Sequence, residues 1–150
     1  MGRRDAASLM IEQSATPDLV ELTRLFYEVM DRELDFDALV GFFAPDAVWD
    51  LSASHLGIYK GAIAIRDFLV GYWATWEDHH HEVEEVLDFG HGVLSVAIRE
   101  DGCPKGTHAR VRARHLQVFE WDQRKIIRIT GYADIDEARA AAKRLAKERQ

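Results

Sequence analysis

The stretch that most limits what this chain can become runs from His108 to Trp121, HARVRARHLQVFEW. Taken with a period of two, one face carries Ala109, Val111, Ala113, His115, Gln117, Phe119 and Trp121. The other carries Arg110, Arg112, Arg114, Leu116, Val118 and Glu120. Alternation over this length fits a strand with one buried and one wet face, and a helical period fits it poorly. A plain core strand with an arginine-rich outer surface explains most of these positions. It leaves out His115 and Gln117, two polar side chains on the otherwise apolar face. Buried polar groups need partners, whether protein groups, water or a ligand. Those two residues are the first pointer to a site.

At 150 residues the chain has room for one domain with a sizeable core. A loose arm over 1–15 and one domain over 16–150 is the expected organisation, without repeats or a linker. A net charge of −7 speaks against a general nucleic-acid binder, because neutralising phosphates takes a basic surface. The Arg110, Arg112 and Arg114 stripe is expected to pair with Glu82, Glu84 and Glu85 on a neighbouring strand. The single cysteine, Cys103, excludes an internal disulfide and a cysteine-based zinc cluster. The segment MGRRDAASLMIEQSA lacks the apolar core of a signal peptide, and no run is long and apolar enough for a membrane span. A cytoplasmic location is the expectation.

Thr16 and Pro17 suit the cap and first residue of a helix whose Leu19, Leu22, Phe26, Val29 and Met30 recur at helical spacing, with Tyr27 beside them. A short second helix is expected from Asp35, with Phe36, Leu39, Val40 and Phe43 apolar and Pro45 ending it. Ala47–Ser52 alternates as a short strand, and a loop, SHLGIYKG, leads to a third helix from Ala62 to Trp76. That helix presents Ile65, Phe68, Leu69, Tyr72, Trp73 and Trp76 on a broad aromatic face, which suits a core and equally the wall of an apolar pocket. Strands are expected over Glu82–Phe89, Val93–Glu100, His108–Trp121 and Lys125–Asp134. The short connections make them an antiparallel meander. Asp134 then caps a final helix, with Glu137 placed for a capping box. The class is α+β: a curved antiparallel sheet wrapped around three N-terminal helices, a cone with a central cavity, plus a C-terminal helix.

The order of elements, and the stretches DFDALVGFFAPDAVWDLS, YKGAIAIRDFL and VRARHLQVFEWDQRKIIRITGYAD, resemble the SnoaL-like branch of the nuclear transport factor 2-like (cystatin-like α+β cone) superfamily. The likeness spans nearly the whole chain and implies that fold. It also implies a homodimer through the outer face of the sheet, where Leu116 and Val118 sit beside the arginines. The fold hosts enzymes, binding modules and assembly domains alike. Aligned with ketosteroid isomerase, Tyr27 stands at the helix tyrosine, Leu51 where the general base would be, and Gln117 where a protonated aspartate would be. Aligned with limonene epoxide hydrolase, Gly131 replaces an acid on the last strand, and His115–Leu116–Gln117 replaces an Arg–x–Asp pair. The polyketide cyclases' histidine is matched by His115. Asp50, the nearest acid on the first strand, lies on the face opposite Trp49 and Leu51.

The carboxylates of the family enzymes are therefore missing where they should stand. Glutamine is no base, although it donates and accepts hydrogen bonds. What remains for catalysis is His115 with Tyr27, a pair suited to mild acid–base chemistry on an enolisable compound. The expected ligand-binding wall is Trp49, Leu51, Tyr59, Phe68, Tyr72, Trp73, Ile98, Glu100, Gln117, Phe119 and Ile129, with His55 and Tyr59 near the mouth. No cofactor or functional metal is expected. In the tract His79–His81 only His79 and His81 point the same way, so at most those two could share an ion. Two functions follow: a pocket protein for a hydrophobic small molecule, slightly favoured by the absent carboxylates, or an isomerase, cyclase or dehydratase acting on a small apolar carbonyl compound.

Overall fold

A computed structural model describes residues 18–150. Helix α1 (Leu19–Glu28) starts after Asp18, whose carboxylate accepts from the Glu21 N–H. The expected cap and arm, Thr16, Pro17 and residues 1–15, lie outside the described residues. A π-helical turn, Val29–Glu33, follows α1 and closes on Leu34 in the left-handed region, φ 49°. Then come α2 (Phe36–Val40), β1 (Phe43–Asp50), a 3₁₀ turn (Ser52–Ser54), β2 (Ile58–Lys60) and α3 (Ala62–Ala74). The chain continues through β3 (Trp76–Asp88), β4 (Val93–Pro104), β5 (Val111–Asp122), β6 (Lys125–Tyr132) and α4 (Ile135–Glu148).

The strands form one six-stranded sheet in the order β2-β1-β6-β5-β4-β3. The meander β3 to β6 is antiparallel throughout, and β1 joins β6 in parallel. That long-range parallel pairing has no local signal, and β2 hides in what reads as a loop. Several boundaries differ from expectation. The second helix stops at Val40, and Phe43 and Pro45 belong to β1. Phe43 pairs with Ile126, and the register shifts before Val48, so Pro45 sits where no ladder N–H is required. The third helix ends at Ala74, and Trp76 opens β3 instead. The histidine tract is therefore inside a strand.

The alternation in β5 divides two cores. One side packs on α1, α2 and α3 around Phe26, which no solvent reaches and whose ring meets those of Tyr27, Phe42, Phe43 and Phe119 edge-on at 5.1 to 5.7 Å. The other side carries Val93, Ala97, Leu116 and Val118 under Ala138, Ala141, Ala142 and Ala146 of α4. Small alanines let that helix lie close, and each buried Val or Leu contributes about 1.5–3 kcal/mol. As expected, Asp134 caps α4 by accepting from the Glu137 N–H at 2.8 Å. Leu116 and Val118 are consequently covered by the chain's own helix, and they lend no support to a dimer interface.

On the exposed remainder of that outer face, charge pairing differs in detail from expectation. Arg114 reaches Glu84 at 3.0 Å, but Arg110 and Arg112 turn to Asp101, at 2.7 and 3.4 Å. Glu85 is taken by Arg139 of α4.

Candidate functional site

A narrow cavity lies between the helices and the concave sheet. Its wall includes Tyr27 and Met30 from the first helical segment, Trp49 and Leu51 near the end of β1, and Phe68, Tyr72 and Trp73 from α3. His81, Ile98, Glu100, His115 and Gln117 line it from the sheet. It encloses about 50 Å³ of free space, room for a few water-sized groups, so a ring-sized ligand has to displace side chains.

At the cavity end, Glu100 is 3% exposed and accepts from four side chains. His115 Nε2 is 2.9 Å from Oε1, and His79 Nε2 and His81 Nε2 are 2.7 and 3.3 Å from Oε2. The Tyr72 hydroxyl bridges both oxygens at 3.0 and 3.1 Å. Strand register explains the convergence: Glu100 pairs with His81 on one side and Ala113 on the other, so the histidines approach from β3 and β5. Burial by itself would raise the Glu100 carboxyl, but the hydrogen bonds from His115, His79 and His81 outweigh it and hold the pKa far below the ordinary range. Glu100 is thus a carboxylate. Burial pushes the Tyr72 hydroxyl up, and the Glu100 charge adds to that shift, so Tyr72 remains a donor. His81 is lowered by burial, against the pull of Glu100.

Aromatic rings clamp the histidines. Trp76 stacks on His79 at 4.4 Å with 5° between planes, and Trp73 on His81 at 5.1 Å with 22°. His80 points the other way, to Asp78 at 2.6 Å, with a side chain 59% exposed. A kink in β3 sets these directions: Asp78 has φ 50°, and the register shifts between Glu77 and His80. Gly102 of β4 makes room for it, since a Cβ there would stand 2.9 Å from the Asp78 carbonyl oxygen and 2.8 Å from Trp76 Cε3.

His115 and Tyr27, the expected pair, occupy the same cavity but bind different partners. The Tyr27 hydroxyl donates to Gln117 Oε1, and its burial raises the phenol well above its ordinary pKa. Of the expected wall, Trp49, Leu51, Phe68, Tyr72, Trp73, Ile98, Glu100 and Gln117 are in place. Phe119 and Ile129 are not part of it: both are fully buried in the core behind, Phe119 against the Phe26 and Tyr27 rings. Tyr59 stands outside as well, stacked on Phe68 at 4.2 Å with its hydroxyl given to the Leu56 carbonyl. His55 is exposed on the loop after β1. Met30, Leu56, Leu69 and His81 are wall residues that sequence reasoning missed. Met30 and Leu69 were legible as buried stripes, but which stretch of a stripe meets empty space depends on how the helices sit. Asp50 stays on the far face, where Ser52 and Arg128 hold it.

The SnoaL-like domain family matches residues 23–129, and the chain belongs to that family. Solved structures share its cone fold. A protein from Catenulispora acidiphila DSM 44928 with a ketosteroid isomerase-like fold, in complex with trimethylamine, superposes with TM-score 0.67 at 16% identity, over 85% of this chain and 94% of its own. TerC co-crystallised with polyporic acid gives 0.64 at 14%, over 83% and 97%. An NTF2-like protein of unknown function from Burkholderia pseudomallei K96243 gives 0.65 at 15%, over 79% and 92%. No curated protein matches the chain by sequence. Among the described residues, no helix is long and apolar enough to cross a membrane.

Proposed function

We propose that this chain is an acid–base enzyme of the isomerase, cyclase or dehydratase kind, acting on a small, largely apolar carbonyl compound in the cone cavity. The observation that carries the reading is His115 on the cavity wall with Nε2 2.9 Å from the buried carboxylate Glu100. Donating Nε2–H to Glu100 sets the tautomer and leaves Nδ1 with its lone pair, the base form. A proton removed next to the substrate carbonyl goes to Nδ1, and the Glu100 charge stabilises the resulting imidazolium. The same nitrogen returns the proton at another position or to a leaving oxygen. Glu100 thus supplies, from β4, the carboxylate that the family enzymes carry elsewhere. Gln117, its Oε1 held by Tyr27, keeps its amide N–H groups for the substrate oxygen.

The second reading is a pocket that holds an apolar ligand without turnover. The mostly apolar wall favours it, and both polyporic acid and trimethylamine are small molecules found with fold relatives. One experiment separates the two. Small enolisable ketones are incubated with the protein in heavy water, and NMR follows deuterium entry next to the carbonyl while line broadening reports binding. The acid–base reading expects catalysed exchange that falls about 10²–10⁴-fold in His115→Leu with thermal melting preserved. Binding without exchange selects the second reading, and absence of both defeats the small-ketone proposal. The homodimer implied by the family resemblance belongs to this proposal too. Its interface would use the exposed charged strip of the outer face, and light scattering at micromolar concentration tests it.

A further inference from the structure

We infer that His79, His81 and Glu100 form a binding site for one divalent first-row transition-metal ion. The three donor atoms lie within 4.8 Å of one another. Around a tetrahedral ion with bonds of about 2.1 Å, ligand atoms stand roughly 3.4 Å apart. The observed 2.7 and 3.3 Å between the imidazole Nε2 atoms and Glu100 Oε2 lie within an ångström of that spacing, and no two of the three donor atoms are more than 4.8 Å apart.

The donor chemistry points the same way. Two imidazoles and one carboxylate are a set that first-row ions occupy with coordination positions left open. His81 and Glu100 line the cavity, so the open positions fall on the side where a ligand enters. Solvent does not dilute the cluster, since the side chains are 4%, 8% and 4% exposed. The rings also stand ready, because Trp76 and Trp73 hold both imidazole planes.

An independent observation lies on the far edge of the rings. With Nε2–H given to Glu100, the Nδ1 atoms of His79 and His81 are buried and have no hydrogen-bond partner. An ion taking the Nε2 lone pairs moves each ring proton to Nδ1. For His81 that N–H then faces Asp31 Oδ1, which stands 3.9 Å away and is already anchored by the His81 backbone N–H at 2.6 Å. A carboxylate behind a ligating histidine is the usual outer partner of such a site. His115 sits on the other oxygen, Oε1, so an ion on Oε2 leaves the His115–Glu100 contact in place.

The test uses the full chain after chelator treatment, titrated with cobalt(II) and followed by visible absorption and calorimetry. One ion per chain is expected, with ligand-field bands that zinc abolishes. Affinity should fall in His79→Ala and in Glu100→Gln by more than the roughly 10–100-fold that loss of an outer partner costs, and stay unchanged in His80→Ala, which removes the exposed neighbour of the same tract. If those variants unfold, the wild-type protein decides by ¹⁵N-histidine NMR: zinc should shift the Nε2 signals of His79 and His81 and spare His80 and His55. No saturable binding, equal loss in His80→Ala, or shifts spread over the surface histidines would each overturn the site. His115→Leu separates this inference from the acid–base reading, because it should abolish exchange and still bind cobalt. Metal binding without exchange in the wild type defeats only the acid–base reading, and exchange without metal binding defeats only this site.

Discussion

Single side chains show how much of this molecule rests on satisfying buried polar groups. Tyr27 and Gln117 hold each other in the buried wall of the cavity. Tyr27→Phe leaves the Gln117 oxygen without its donor and should lower stability by about 1–3 kcal/mol. Adding Gln117→Leu should recover most of that loss, because no polar atom is then stranded. Urea denaturation of the two single variants and the double variant checks it, and strictly additive losses would refute it. Asp50 makes a pH-dependent case. Hydrogen bonds from the Ser52 hydroxyl and N–H, aided by Arg128, lower its carboxyl below the ordinary value. A depressed carboxylate stabilises the fold above its unfolded pKa of about 3.9 and loses that contribution as pH falls through the folded value. Asp50→Asn should therefore cost about 1 kcal/mol at pH 7, and the difference from wild type should vanish in strong acid. Melting curves across pH measure it directly.

At the scale of elements, turns and kinks decide what the strands present. The β3–β4 connection holds Gly90 and Gly92, both in the left-handed region at φ 84° and 82°. They are not equivalent. A Cβ on Gly90 meets nothing within 4 Å, but one on Gly92 would stand 2.5 Å from the Trp121 carbonyl oxygen, beside the bond that Trp121 N–H makes to the Gly92 oxygen. Gly90→Ala should cost about 1 kcal/mol, the left-handed penalty alone. Gly92→Ala should cost at least twice that, as backbone has to move. Equal chemical denaturation midpoints would show that the close approach is unimportant. Gly102 plays the same part under the β3 kink, so the histidine arrangement depends on a glycine in the next strand.

For the whole molecule, the sheet works as a partition with a site-bearing core on one side and an alanine-lined one on the other. The second core depends on close approach of α4. Ala142 is fully buried there and Ala140 is exposed. Ala142→Leu should therefore lower stability by about 1–3 kcal/mol through overpacking, and Ala140→Leu should change it by less than about 0.5 kcal/mol. Thermal melting of the pair tests which face of α4 carries the packing. Ending the chain after Ala133 would bare Val93, Leu116 and Val118 together, and the expected result is association visible by light scattering.

The sequence by itself determined the face assignment of β5 and the cap of α4, because each rests on local periodicity or a capping pattern, and the order of its elements with the family resemblance implied the cone class. It also singled out His115 and Gln117, polar residues where apolar ones were due, and counted Glu100 in the expected wall. Only the tertiary structure decided that His115 answers to Glu100 rather than to Tyr27, because that contact depends on the register between β4 and β5. The join of His79 and His81 to the same carboxylate needed the β3 kink over Gly102, which strict alternation does not contain. The cover on Leu116 and Val118 was equally out of reach: an apolar outer face shows that something must lie on it, and whether a helix of the same chain or a second copy does so depends on where the chain turns after β6.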